Sequence, residues 1–290
     1  MPKYYHYCSK GFEREILFKN PIEFIAGINR IAVCFLLCLL AEQPVRILAF
    51  CLMNNHFHFI LHGEEYHCDA FIARYKKLTA MWVTKHRGQP LIERMEIGRW
   101  AISLDKLGEK IIYVLRNPVA AGLKMLPSAY RWSSASLMYA DLNAPRWGEV
   151  DAGTISVTKR RIKGYTRVRL PDNWKILPDG MIWPGNYLDI RTAEKQFQSI
   201  GTYMFALNNS NIDKECEREM MKDSIMLPDG DVEKRACEIA LSLFEKESAI
   251  KCSVGERIGI ATILRKEMMC NHKQLGRVLH LKPSDLELVV

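Results

Sequence analysis

The order of strand-like and helix-like patterns at the start of the chain constrains its fold most. A weakly alternating segment at residues 4–8 predicts a strand, and the stretch that begins at Pro21 repeats apolar side chains at helical spacing. Two further strand-like segments, 45–51 and 56–62, follow, with Asn54-Asn55 as a turn between them. The chain therefore opens with the order β-α-β-β.

The pattern continues to about residue 117. Residues 68–85 predict a second long helix and residues 96–103 a fourth strand, and Asp105 is a suitable N-cap for a third helix that ends near Asn117. The order β-α-β-β-α-β is that of the split βαβ, ferredoxin-like arrangement. We therefore predict an α+β fold whose antiparallel sheet has helices on one face.

The length of 290 residues predicts more than one domain, because domains cluster at about 100–150 residues. We expect the α+β domain to cover residues 1–140. A loop-rich, basic connector is expected over residues 141–228, where Gly, Pro, Asp and Trp are frequent and periodicity is weak. The helical texture that follows predicts a third, mainly helical region over residues 229–290.

Charge, cysteines and apolar segments narrow the class of protein. The 41 Lys and Arg exceed the 33 Asp and Glu and give a net charge of +8, which suits a polyanion such as nucleic acid. Nine cysteines without a C-x-x-C pair indicate free thiols in a reducing cytoplasm. The longest apolar run, residues 31–41, is shorter than a membrane-spanning helix, and the N-terminus carries no apolar signal segment. We expect a cytoplasmic protein without a membrane partner.

The first chemically informative pattern is a pair of histidines in a predicted strand. His56 and His58 are two residues apart and project from one face, while Phe57 and Phe59 project from the other. Two imidazoles on one face can chelate a divalent metal ion. The alternative is a half-buried strand whose histidines face solvent.

The second pattern lies on the third predicted helix. Tyr113 and Asn117 are four residues apart and share a helix face, and Lys106 and Lys110 extend this polar stripe. Three apolar residues form the opposite stripe: Leu107, Ile111 and Val114. This division indicates that Tyr113 is not a core aromatic, although a packing or hydrogen-bonding role remains the alternative to a nucleophile.

Together the motifs resemble those of the single-tyrosine HUH transposases, and in particular the REP-associated tyrosine transposases. The chain has MNNHFHFIL at 53–61, YVLRNP at 113–118 and YRWSS at 130–134. The family shows a Met-Pro-Asn-His-x-His strand, a Tyr-Ile-x-x-Asn-Pro helix and a Trp-Ser-Ser segment. The resemblance covers residues 1–140 in the same order and spacing.

The resemblance implies a chemistry for these residues. His56, His58 and Asn117 would bind a metal ion, Mg²⁺ or Mn²⁺, and Tyr113 would be the nucleophile. The expected activity is cleavage and rejoining of single-stranded or hairpin DNA through a 5′-phosphotyrosine intermediate. Members of the family are monomers in some branches and dimers in others, so a homodimer also remains open.

This chain departs mildly from the family pattern. Asn54 replaces the usual proline, Val114 the usual isoleucine, and Lys10-Gly11 the usual Arg-Gly. Lys10 is therefore a candidate DNA contact. The tract at 96–101 matches the family's Trp-x-x-Arg segment only weakly, which leaves DNA contacts there open.

Two further segments are candidate DNA-binding elements. Residues 159–169 contain six cations and no acid, and we expect DNA contacts from four side chains there: Arg160, Arg161, Lys163 and Tyr165. The alternative is a solvated surface strand. Residues 257–290 are similar to a helix-turn-helix unit, with Lys273 and Arg277 as DNA contacts, or to a small helical bundle without a DNA role.

Three functions from different classes fit these patterns. The first is an active single-strand DNA transposase. The second is a domesticated DNA-binding protein or regulator that no longer transposes. The third is a metal-dependent phosphohydrolase that uses the histidine pair and does not need Tyr113.

Overall fold

The computed structural model describes residues 2–10, 16–91, 94–121, 123, 126–142, 144, 146, 148–154, 168–208, 229–268, 270 and 272–289. Its central element is a four-stranded sheet. The strands are β1 (Lys3–Ser9), β2 (Arg46–Leu52), β3 (Phe57–Gly63) and β4 (Ile97–Ile102). Their order is β2-β3-β1-β4 and every neighbouring pair is antiparallel. This order is that of a split βαβ fold, so the predicted fold class is confirmed.

Two long helices connect the strands and pack against each other: α1 (Pro21–Leu40) and α2 (Glu65–Arg87). Helix α1 begins where the Asn20 side chain accepts a hydrogen bond from the Glu23 amide, with Pro21 in the first turn. Helix α2 ends at Gly88, whose φ of 74° is the left-handed conformation that glycine adopts without strain.

Helix α2 covers one face of the sheet. The rings of Phe57 and Phe59 on β3 pack against Tyr75 of α2, at centroid distances of 5.0 and 5.1 Å, and Phe71 packs on Phe59. All four side chains are fully buried. The opposite face of β3 is left for a different set of side chains.

A third helix packs against the remaining face, and it differs in detail from the prediction. A short 3-10 turn at Leu104–Lys106 precedes α3 (Leu107–Leu115), and α4 (Asn117–Ala120) follows after a break at Arg116. Pro118 has no backbone N–H to donate to the Val114 carbonyl four residues earlier, which accepts from the Asn117 side chain instead, so the helical hydrogen-bond ladder is interrupted here. Asn117 therefore lies at the start of a new turn.

Residues 150–154 and 168–208 contribute to the hydrophobic core of the sheet. The pair of short strands β5 (Val150–Asp151) and β6 (Lys175–Ile176) is followed by α5 (Ile190–Glu194) and α6 (Ile200–Asn208). The chain at Leu188 forms a parallel bridge to Ile47 of β2. Part of the segment expected as a loop-rich connector is thus built into the main hydrophobic core. The division into domains stays a prediction.

The C-terminal region is helical and has its own hydrophobic cluster. Its helices are α7 (Asp229–Phe244), α8 (Val254–Met268), α9 (His272–Leu279) and α10 (Pro283–Leu286). Side chains such as Val232, Ile260 and Leu275 are fully buried between them. The expected helical C-terminal region is confirmed.

Helix α1 is, among the described residues, the one helix long and apolar enough to cross a membrane. Its 20 residues exceed the apolar run at 31–41, because the helix also includes the stretch from Pro21 onward. In the structure, 72% of its most apolar window is buried inside the protein. Such burial is typical of a core helix.

Candidate active site

One face of the sheet carries a group of reactive side chains. Alternation along the strands puts His6 and Cys8 of β1, His58 of β3 and Trp100 of β4 on the face opposite α2. Cys8 lies directly across from His58, and His6 lies across from Trp100. Because β1 is between β3 and β4, these four side chains form one continuous patch.

The turn before β3 places the other histidine of the predicted pair, His56. The Met53 amide donates to the His56 carbonyl at 2.8 Å, and the Asn54 carbonyl accepts from the Leu17 amide at 2.6 Å. His56 and His58 are both buried, and their ring centroids are 4.9 Å apart. The structure therefore brings the two imidazoles together, as the H-x-H spacing predicts.

Asn117 joins this pair from the start of α4. Its amide nitrogen lies 3.1 Å from the Tyr113 carbonyl and 3.3 Å from the Val114 carbonyl and donates to both, so its Oδ1 faces the histidines. Asn117 Oδ1 lies 3.4 Å from His56 Nε2. His56 Nδ1 lies 2.7 Å from Asn55 Oδ1 and donates to it, which leaves a lone pair on Nε2.

The arrangement of Asn117 and His56 suits a bound cation. With that tautomer, His56 Nε2 and Asn117 Oδ1 each direct an electron pair into the same buried site, and both are ligand atoms that a divalent ion accepts. Nitrogen and amide-oxygen ligands suit Mn²⁺, and Mg²⁺ less well because it prefers oxygen. The predicted donor set therefore fits a divalent ion.

The candidate ligand set, His56, His58 and Asn117, consists of two imidazoles and one amide. Within the described part of the chain, no three His, Cys, Asp or Glu side chains are grouped so that they could hold a metal ion. The set therefore lacks a carboxylate. A low ligand charge favours moderate metal affinity.

His6 supports His58 from the neighbouring strand. His6 Nε2 and His58 Nδ1 are 3.0 Å apart and share a hydrogen bond, and the two rings are stacked. Burial, followed by the charge of Lys110, lowers the pKa of His6 to about 4. Burial, followed by His56 and His6, lowers the pKa of His58 well below its usual range. Both rings are thus neutral at pH 7, which is the form that binds metals.

Tyr113 lies beside the histidines on α3, one helical turn before Asn117. Its ring meets His6 at 5.6 Å and His58 at 5.8 Å between centroids, and both contacts are nearly perpendicular. Lys110 Nζ lies 4.9 Å from the centre of the Tyr113 ring. The helix places Tyr113 next to the candidate ligands rather than in the core, as its stripe predicts.

An open cleft of about 470 Å³ leads to Tyr113. Its lining includes His6, Trp100, Lys106, Lys110 and Tyr113. Two of the predicted DNA contacts, Lys106 and Lys110, are thus at the mouth of the site, where they can attract a phosphate backbone. Lys106 also pairs with Glu109 at 3.0 Å on the protein surface.

The YRWSS segment braces the strand next to the site. The Leu52 amide donates to the Trp132 carbonyl at 2.9 Å, and the Ser134 amide donates to the Phe50 carbonyl at 3.0 Å. The Tyr130 hydroxyl donates to the Leu52 carbonyl at 2.8 Å. This motif therefore covers the outer edge of β2 and fixes the strand that leads into the histidine turn.

The remaining predicted DNA contacts have different surroundings. Lys10 is exposed beyond the end of β1 and lies 3.9 Å from Glu96, outside the cleft lining. Four of them lie outside the described residues: Arg160, Arg161, Lys163 and Tyr165. The same holds for the side chain of Lys273.

Arg277 is placed differently from the prediction. Its guanidinium lies 3.1 Å from Asp229 Oδ2, and the two side chains are 1% and 0% exposed. Gln274 donates to the same carboxylate at 2.8 Å. Arg277 has no surface to offer a DNA phosphate, and the predicted DNA contact is corrected to an internal ion pair between α9 and α7.

Three residues of the site were not singled out from the sequence: His6, Cys8 and Trp100. The sequence does contain a signal for these three residues. They lie on strands whose side chains alternate between the two faces, and a ferredoxin-like sheet places its first strand between the third and the fourth. Residues 4–8 and 96–103 alternate, and combining the alternation with the strand order would have put these side chains beside His58.

The fold and site define an α+β protein with a buried histidine pair beside a helical tyrosine. The structure matches a solved REP-associated tyrosine transposase bound to a REP hairpin, with 14% identity, a TM-score of 0.34, and coverage of 49% of this chain and 82% of that one. No model of a known protein family matches the chain, and neither does any curated protein.

Proposed function

We propose that the chain is a metal-dependent endonuclease and strand transferase for single-stranded DNA, with Tyr113 as its nucleophile. One observation carries this proposal. Tyr113 and Asn117 are one turn apart, and they meet His58 and His56 in the same buried group, with Tyr113 open to a cleft lined by two lysines. A phosphohydrolase would use the histidine pair but would have no need of the tyrosine.

The proposed step is a transesterification at a DNA phosphate. The Tyr113 oxygen forms a bond to phosphorus and the bond from phosphorus to the 3′-oxygen breaks, which gives a 5′-phosphotyrosine and a free 3′-hydroxyl. The tyrosine proton passes to solvent and the leaving oxygen takes up a proton. The ester retains the energy of the broken linkage, so attack by a 3′-hydroxyl rejoins the strand without ATP.

The side chains around Tyr113 meet the needs of this step. A phenol with a pKa near ~10 is a weak nucleophile, so the target phosphate must be activated. A divalent ion, Mg²⁺ or Mn²⁺, would supply that activation as a Lewis acid when bound. His56, His58 and Asn117 would hold it. Lys110 adds positive charge next to the attacking ring.

A DNA partner is supported by the net charge of the chain and by the lysines that line the cleft. The net charge is +8, and the cleft lysines lie where a phosphate backbone would enter. We infer that single-stranded or hairpin DNA is the substrate, with residues 159–169 as an additional contact region.

The polarity of the covalent product tests this proposal. Hairpin DNA labelled at either end would be incubated with protein and Mn²⁺ and run on a denaturing gel. The 3′-terminal label should shift with the protein, because the 5′-phosphate of that fragment is attached. Tyr113→Phe should give no adduct, whereas Tyr66→Phe, an exposed tyrosine on α2, should behave as wild type. DNA binding without any adduct would instead indicate a domesticated DNA-binding protein.

A further inference from the structure

Trp100 is an exposed aromatic side chain at the edge of the proposed active site. It lies on β4, across from His6, with a centroid distance of 5.4 Å and an angle of 29° between the rings. His6 in turn meets Tyr113 at 5.6 Å. A single imidazole therefore separates Trp100 from the proposed nucleophile. Even so, Trp100 remains 54% exposed.

The backbone beneath Trp100 is shaped for its ring. A Cβ added at Gly98 would lie 2.2, 2.8 and 3.0 Å from three atoms of the indole. The ring therefore lies directly over Gly98, two residues earlier on the same face of β4, and a larger residue at that position would displace the ring from where it lies. With its inner side supported by Gly98 and His6, the indole presents its outer side to the cleft.

The surroundings of the indole match those of sites that bind single-stranded nucleic acid. Trp100 lines the same cleft as Lys106, Lys110 and Tyr113. Such sites combine aromatic platforms, on which unpaired bases stack, with cations that follow the backbone.

We propose that Trp100 is a stacking platform for an unpaired nucleobase next to the phosphate that Tyr113 attacks. This inference rests on the proposed function, because it uses the same cleft and substrate. Stacking would hold one base out of the DNA helix and orient its phosphate toward Tyr113. Gly98 and His6 act as the support of the platform.

The test measures binding of single-stranded oligonucleotides to the full chain by fluorescence anisotropy, without a metal ion so that no cleavage occurs. Trp100→Ala should raise Kd by about 5- to 150-fold, and Trp100→Phe should restore much of the loss. The dependence of Kd on salt should not change, because no charge is removed. Trp82→Ala is the matched control, since Trp82 lies on α2 and stacks on His86.

Abasic nucleotides locate the stacked base. Moving one abasic site along the oligonucleotide should reveal a position that weakens binding to wild type but not to Trp100→Ala. A Kd for Trp100→Ala within about twofold of wild type, with no such position, would overturn the inference. The tyrosine adduct tests the proposed function separately. If wild type forms the adduct and Trp100→Ala binds DNA normally, the stacking role of Trp100 is refuted but the proposed function is not.

Discussion

Asn117 Oδ1 lies 3.4 Å from His56 Nε2, and the amide nitrogen of Asn117 lies 3.1 Å from the carbonyl of Tyr113 and donates to it. The break between α3 and α4 creates this relationship, because it starts a new helical turn at Asn117. One side chain thus connects the proposed nucleophile and the candidate metal ligands. A change at Asn117 should therefore alter metal binding without removing the attacking group.

Asn117→Asp should tighten Mn²⁺ binding on the order of tenfold, and Asn117→Ala should weaken it, since the charge of the ligand set tunes affinity. Isothermal titration calorimetry of the DNA-free protein measures both. Equal affinities in wild type and both variants would show that Asn117 is not a ligand.

His56→Ala and His58→Ala should each lower cleavage by at least about 100-fold, as expected when one electrostatic stabiliser of the transition state is lost. Chelation of wild type should have the same effect, with recovery on addition of Mn²⁺ or Mg²⁺. His86→Ala, on α2, is the control. Full activity in excess chelator would rule out a metal-assisted reaction.

His6→Ala should weaken Mn²⁺ binding by about 10- to 100-fold, because the hydrogen bond of 3.0 Å to His58 Nδ1 fixes the ring that would bind the metal. His6→Gln, which keeps a hydrogen-bonding side chain, should recover part of this affinity. The prediction fails if metal affinity is unchanged in His6→Ala while the protein remains folded.

Arg277→Ala should lower the free energy of unfolding by about 3–5 kcal/mol, because it leaves the Asp229 carboxylate buried without its partner. Arg235→Ala removes a surface cation that pairs with Glu238 and Glu267, and it should lower the free energy of unfolding far less than Arg277→Ala, because solvent screens exposed ion pairs. Urea denaturation measures both. A variant of Arg277 with normal stability but weaker DNA binding would restore the predicted DNA contact.

The local patterns in the sequence were sufficient for the order of elements and for the pairing of His56 with His58. Both features depend on residues that are two to four positions apart in the sequence, and the periodicity of apolar and polar residues reveals such relationships. The support by His6 and the platform of Trp100 depend on contacts between strands far apart in sequence. Without the strand register, alternation alone does not say which side chains meet.

Other features depend on tertiary context in the same way. By contrast, the end of the third helix near Asn117 was predicted, because its signal, Pro118, is local. The burial of Arg277 depends on Asp229, which is 48 residues away. The helical pattern of the sequence is the same whether an arginine faces solvent or a buried carboxylate. The position of Arg277 in the sequence therefore could not show which of these environments it has.

The most direct test of the central claim is the site of the covalent bond. After reaction with single-stranded hairpin DNA and Mn²⁺, nuclease and trypsin digestion would leave a nucleotide on one peptide, identified by mass spectrometry. Cleavage after Lys110 and Arg116 releases residues 111–116, in which Tyr113 is the sole hydroxyl-bearing side chain. We predict that the nucleotide is found on this peptide. A nucleotide on a different peptide, or complete cleavage without any attached nucleotide, would contradict the assignment of Tyr113 as the nucleophile.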